Sequence, residues 1–94
     1  MSDVTNNEQR QRFEITADGH TGFLAYALDD GNRINLKHTE VPRELEGRGL
    51  GGKLAKAALD HARTAGLRVA VSCPFVQSYV QRHPEYNDLT ESRI

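Results

Sequence analysis

Residues 46–54 read Glu-Gly-Arg-Gly-Leu-Gly-Gly-Lys-Leu, and four glycines in six residues can bring bare backbone close to a ligand. Glycines let consecutive backbone N–H groups converge, and a helix starting there adds about half a positive charge. Together these features cradle a pyrophosphate without a large basic patch. Arg48, Lys53 and Lys56 can add charge-assisted contacts. Gly47, Gly49 and Gly52 satisfy the dinucleotide pattern G-x-G-x-x-G, but Ser72-Cys73-Pro74 stands where an acidic residue should hold the ribose. Gly47, Gly52 and Lys53 also satisfy the phosphate loop of NTPases. That reading fails too, because Leu54 replaces the hydroxyl residue that holds Mg²⁺ and the chain is short for a nucleotide domain. The plain alternative is a strand-to-helix connection, in which so many glycines are costly unless something approaches the backbone.

Other reactive groups lie close to this loop in sequence or follow it. Cys73 is the one cysteine, and it is either a small buried hydrophobe or a thiol whose chemistry needs a lowered pKa. His38 and Glu40 alternate with Thr39 and Val41 at the end of a predicted strand, two on each face. His20 and His61 have no partner identifiable from sequence. One cysteine and four histidines make no zinc-type ligand set, so no metal is expected.

The elements that must position these groups follow from hydrophobic periodicity. Phe13, Ile15 and Ala17 alternate with polar residues from Arg10 onward, the period of a half-buried strand. Asp18-Gly19-His20 is a turn, and Gly22 to Leu28 is apolar on both faces, as in a central strand. Asp29-Asp30-Gly31-Asn32 predicts a hairpin with a type I′ turn, leading to a third strand from Arg33 to Val41 that Pro42 ends. Leu50, Leu54, Ala57, Ala58, His61, Ala62 and Ala65 then fall at helical spacing, with Gly66 as the stop. Leu67 to Ser72 reads as a buried strand, which a right-handed crossover places parallel to the third. Pro74 opens a second helix with Phe75, Val76, Tyr79 and Val80 on its apolar face, and Pro84 stops it. Residues 1–8 lack periodicity and are expected to be a mobile tail before a single domain at 9–94. The fold class is therefore α+β: a three-strand antiparallel meander, a long helix, a parallel crossover strand and a short second helix.

Composition narrows the class. The chain has 94 residues, 12 Lys and Arg against 13 Asp and Glu, and a net charge of -1. Nucleic-acid or anionic-membrane binders normally carry a basic excess, so neither partner is expected. No apolar run approaches the ~20 residues of a membrane span. The start has no apolar core of a secretory signal, and a lone cysteine suits a reducing compartment, so a cytoplasmic monomer is expected.

At the level of motifs the chain resembles a known family. Glu46-x-x-Gly49-x-Gly51 is close to the Q/R-x-x-G-x-G/A loop of the GNAT superfamily of N-acetyltransferases. His38-Thr39-Glu40-Val41-Pro42, Gly47-Arg48-Gly49-Leu50, Ser72-Cys73-Pro74-Phe75 and Arg82-His83-Pro84-Glu85-Tyr86 together resemble its small single-domain, GNAT-like members over about residues 10–89. The resemblance implies acetyl-coenzyme A as co-substrate, held by Gly47, Arg48, Gly49, Leu50, Gly51, Gly52 and Lys53. It also implies that backbone beside Thr39 and Val41 binds the pantetheine arm as an added strand. Glu46 departs from the Gln or Arg of the wider superfamily, so its side chain is expected to turn away from the pyrophosphate.

The resemblance also assigns chemistry. Cys73 would lie beside the thioester, as proton donor to the leaving thiolate or as transient acyl acceptor. Tyr79 stands one residue short of the usual spacing for the tyrosine that protonates that thiolate, and a core aromatic is its plain reading. Acetylating an amine needs a base, because an ammonium of pKa about 10.4 is no nucleophile, and Glu40 or His38 could serve. His83 and Tyr86 belong to the tail motif, with capping of the second helix as their default role. In longer relatives flanking elements build much of the acceptor site, and this chain is expected to lack them, which favours either an amine on a large acceptor such as a protein or weak catalysis. Two other readings stand beside the transferase: a non-catalytic module that binds acyl-coenzyme A, and an interaction domain whose loop holds a phosphate or nothing.

Overall fold

The computed structural model describes residues 4–29 and 32–90. The predicted Asp30-Gly31 turn and the chain ends at 1–3 and 91–94 lie outside these. One mixed sheet runs in the order β1 (Val4–Asn7), β2 (Arg12–Ala17), β3 (His20–Asp29), β4 (Arg33–Glu40), β5 (Arg68–Val71). The first four strands are antiparallel and β5 joins β4 in parallel, as the crossover requires. Helix α1 (Leu50–Ala65) makes that crossover, and α2 (Pro74–Arg82) follows β5.

The meander gains a strand that the sequence reading left in the tail. Val4–Asn7 pairs along β2. Its only apolar side chain is Val4, so it has no hydrophobic period to detect. It is held through polar groups instead. Asn6 accepts the Tyr26 hydroxyl at 2.7 Å, and the Asn7 amide donates to Glu14 at 3.3 Å. A short polar strand suits a sheet edge.

The core lies between one face of the sheet and the helices. Phe13, Ile15, Leu24, Tyr26, Ile34, Leu36 and Val69 are buried there against Leu50, Leu54, Ala55, Ala58, Leu59 and Ala62 of α1. The helix stripe is thus rotated from the expected one. Ala55 and Leu59 are buried, Ala57 and His61 are half-buried, and Ala65 is exposed. His61 sits at the stripe's margin, edge-on to Phe13 at 5.6 Å between ring centroids. On α2, Val76, Tyr79 and Val80 are buried, but Phe75 stays 40% exposed.

Residues 83–88 pack back on the outer side of α1, and Leu89 and Thr90 then bridge to Val69 of β5. Tyr79 stacks on His83 at 4.0 Å, and the buried Tyr86 donates its hydroxyl to Asp60 at 2.7 Å. Lys56 reaches the other oxygen of Asp60 at 2.7 Å, while Arg63 pairs with Asp88 at 3.0 Å. Burial alone would raise the Asp60 carboxyl, but the Lys56 and Tyr86 hydrogen bonds outweigh it and hold it below the ordinary value. A depressed carboxylate stabilises the fold above its unfolded pKa of about 3.9, and this contribution is lost as pH falls through the folded value. Tyr86→Phe is expected to cost about 1.5 kcal/mol at neutral pH. Urea denaturation across pH checks it, and the gap to wild type is expected to narrow below pH about 4.

Candidate active site

One irregularity in β4 decides which side chains reach the site. The β3–β4 register runs Leu28↔Ile34 and Tyr26↔Leu36, then steps to Ala25↔His38 and Leu24↔Thr39. Lys37 is the extra residue of a β-bulge. Directly paired residues share a face, so past the bulge Thr39 lies beside the buried Leu24 on the helix side. His38 and Glu40 emerge on the open side, opposite Thr39 as expected. There the His38 ring meets Phe23 edge-on at 6.2 Å, and the Arg12 guanidinium lies 4.4 Å from the same ring's centroid.

Beside the bulge the sheet splays. Pairing of β4 with β5 ends at Leu36↔Val71, and the Ser72 N–H closes the ladder on the Leu36 carbonyl at 2.9 Å. β4 continues along β3 while the other chain turns into α2. Between them lies a cleft of about 360 Å³, lined by Thr39, Val41, Leu45, Glu46, Gly47, Gly49, Leu50, Gly51 and Phe75.

The floor of that cleft is the start of α1. Gly49 is the N-cap at φ 73° and carries no side-chain cap, and the first turn holds no acidic residue. The first helical hydrogen bond comes from Lys53 N–H to the Gly49 carbonyl, which leaves the N–H groups of Leu50, Gly51 and Gly52 without helical partners. A Cβ on Gly47 (φ 85°) or Gly49 would meet no heavy atom within 4 Å, so the backbone there is open to an approaching group. These are the features an anion at a helix N-terminus needs.

Six of the nine residues expected to hold the co-substrate line the cleft: Thr39, Val41, Gly47, Gly49, Leu50 and Gly51. Arg48 turns away and pairs with Asp18 at 2.6 Å, tying the loop to the β2–β3 turn. Gly52 faces Tyr79, whose ring would lie 3.6 Å from an added Cβ, and Lys53 is exposed on the helix. Tyr79 is therefore packed between α1 and His83 and is not among the cleft residues. Glu46 is also among the lining residues. Sequence reasoning missed Leu45 and the use of Phe75. The signal for the latter was Gly51, where a Cβ would come within 2.8 Å of the Phe75 ring. His20, for which the sequence identifies no partner, has its ring 3.9 Å from Glu44.

Cys73 is the N-cap of α2, only 3% exposed, behind the cleft wall. Its Sγ lies 3.4 Å from the Thr39 hydroxyl. Burial pushes the thiol up, but hydrogen bonds from the Thr39 hydroxyl and from the backbone N–H groups of Val76, Phe75 and Thr39 bring it below its ordinary value. A thiol lowered in this way favours the thiolate. Among the described residues no three His, Cys, Asp or Glu side chains gather as a metal site. No described helix is long and apolar enough to cross a membrane.

Comparison with known proteins agrees with this geometry. The family model described as GCN5-related N-acetyl-transferase matches residues 12–89, and the chain belongs to that family. Within it the chain falls among the small GNAT-like proteins. It is 35% identical to Protein NATD1 of Mus musculus over 83 residues, 86% of this chain and 76% of that one. With Protein NATD1 of Homo sapiens the identity is 34%, over 86% and 74% of the two chains. A GCN5-like protein of Staphylococcus aureus, solved by NMR, superposes with a TM-score of 0.75 at 32% identity, over 98% of this chain and 90% of the other.

Proposed function

We propose that the protein is an acetyl-coenzyme A-dependent N-acetyltransferase acting on an amine of a macromolecule. The observation that carries this reading is the row of unpartnered N–H groups at the start of α1, open to the cleft beside the free edge of β4. Gly47, Gly49, Leu50 and Gly51 hold the pyrophosphate through backbone N–H groups, and the helix dipole adds its partial charge. Backbone groups at Thr39 and Val41 take the pantetheine arm as an added strand. Acetyl-coenzyme A supplies an activated thioester whose leaving group is a thiolate. Cys73 supplies the proton that this thiolate needs. Glu40 or His38 takes a proton from the acceptor ammonium, which approaches from the open face of the sheet.

Titration with acetyl-coenzyme A, followed through backbone amide NMR shifts, tests the reading. Shifts centred on residues 47–52 are expected, and their absence would sink it. A second reading, a module that binds the coenzyme without turning it over, is favoured by one observation: Glu46 is the single ionisable side chain in the cleft lining. Turnover measured against a library of peptide and small amines separates the two.

A further inference from the structure

Resting on the transferase reading, a division of labour emerges between two side chains of the cleft wall. Cys73 is buried and does not line the cleft, whereas Thr39 does. The Thr39 hydroxyl stands 3.4 Å from Sγ, and either atom can be the donor in that contact. The contact therefore survives in both protonation states, as S–H to oxygen or as O–H to thiolate. We propose that Thr39 is a proton relay: its hydroxyl, in the cleft wall, passes the proton of the buried Cys73 thiol to the sulfur that leaves during acyl transfer.

The step balances. As the amine nitrogen forms its bond to the acyl carbon and the carbon–sulfur bond breaks, Thr39 Oγ1 gives its proton to the departing sulfur. The same oxygen takes the Sγ proton, and the electron pair stays on Cys73 as a thiolate. The acceptor nitrogen loses two protons between ammonium and amide, both passing through Glu40 or His38 to solvent, and Cys73 regains one from solvent through Thr39, so one proton is released in all. Both ends of the relay are thiols, so the proton moves toward the weaker acid whenever the Cys73 thiolate is the better stabilised. The groups that stabilise it are the N–H groups of Thr39, Phe75 and Val76 together with the Thr39 hydroxyl. Glu46 of the loop before α1 is the ionisable residue of the cleft lining, and the charged groups of β4, β5 and α2 face elsewhere. His38 and Glu40 of β4 are on the other side of the sheet, Arg68 of β5 pairs in register with Arg33 at the far end of the ladder, and α2 has no charged residue before Arg82.

The test exploits the lone cysteine. In the full chain with Cys73 labelled at ¹³Cβ, the thiol is titrated by NMR in wild type, Thr39→Val and Thr39→Ser without coenzyme. Thr39→Val keeps the shape and loses the hydroxyl, so its midpoint is expected to rise by about one pH unit, while Thr39→Ser stays near wild type. With acetyl-coenzyme A, Thr39→Val is expected to lose about tenfold in kcat with little change in KM, and to add nothing in a Cys73→Ala background. An unmoved midpoint in Thr39→Val, a serine variant that behaves like valine, or fully additive kinetic losses would overturn the relay. Should the protein bind no acetyl-coenzyme A, the transferase reading falls with the relay as a catalytic step, and the titration still decides whether Thr39 governs the thiol.

Discussion

Cys73→Ala is expected to lower turnover with acetyl-coenzyme A about a hundredfold, with little change in coenzyme affinity. The affinity should persist because the pyrophosphate cradle we propose is backbone from Gly47 to Gly51, and Cys73 is not among the cleft residues. The turnover should fall because the thiol lies 3.4 Å from the hydroxyl of Thr39, a residue of the cleft wall. Removing the sulfur also leaves the Thr39 hydroxyl without this partner and opens a small void in the core, which costs about 1 kcal/mol of stability or somewhat more. Urea titration therefore accompanies the kinetics, so that a folded, slow enzyme is distinguished from a loosened one. Cys73→Ser keeps nearly the same volume and separates packing from thiol chemistry. Mass spectrometry after incubation with acetyl-coenzyme A alone is expected to show no stable acetyl adduct. An alanine variant with full activity at saturating coenzyme from pH 6 to about 9, well across the thiol range, returns Cys73 to the core.

Gly49→Asp is expected to weaken acetyl-coenzyme A binding at least tenfold, about 1.4 kcal/mol, in a chain that still folds. Two effects act in the same direction. The new side chain would occupy the space beside the open backbone of the cradle, and its carboxylate would repel a pyrophosphate. Stability behaves differently. Gly49 sits at φ 73°, a left-handed conformation that costs a side chain about 1–2 kcal/mol, although Asp tolerates it better than most. An N-cap carboxylate recovers part of this through the helix dipole. Calorimetry on the folded variant is the check, and unchanged affinity would remove the loop from the binding site.

Much of the architecture was legible because apolar periods report burial directly. β2, β3, β4, α1 and β5 lie where alternation and helical spacing put them, and the parallel crossover follows from chain connectivity. β1 was not legible, since Thr5, Asn6 and Asn7 join the sheet through ladder and side-chain hydrogen bonds that leave no hydrophobic trace. Within α1 the stripe was misplaced onto Ala57, His61 and Ala65 because alanine is compatible with either side of a helix. The loop announced itself through its glycines. Phe75 did not, because an aromatic at helical spacing reads as core whether it faces the interior or a cleft. The Asp18–Arg48 pair spans thirty positions of sequence, and nothing local in either residue signals the other.

The bulge at Lys37 has a consequence for how this segment can change over time. A substitution between residues 37 and 41 alters one side chain in place. Without the bulge the same residues would alternate strictly past Leu36 and exchange the two faces of the strand end, because side chains repeat every second residue. His38 and Glu40 would then be driven toward the helices and Thr39 toward solvent, stranding charge in the interior and separating the hydroxyl from the thiol. Descendants of this chain can therefore vary the chemistry of these positions one at a time, and can even lose Lys37 itself, but at this length they must keep the step in pairing opposite Ala25 and Tyr26.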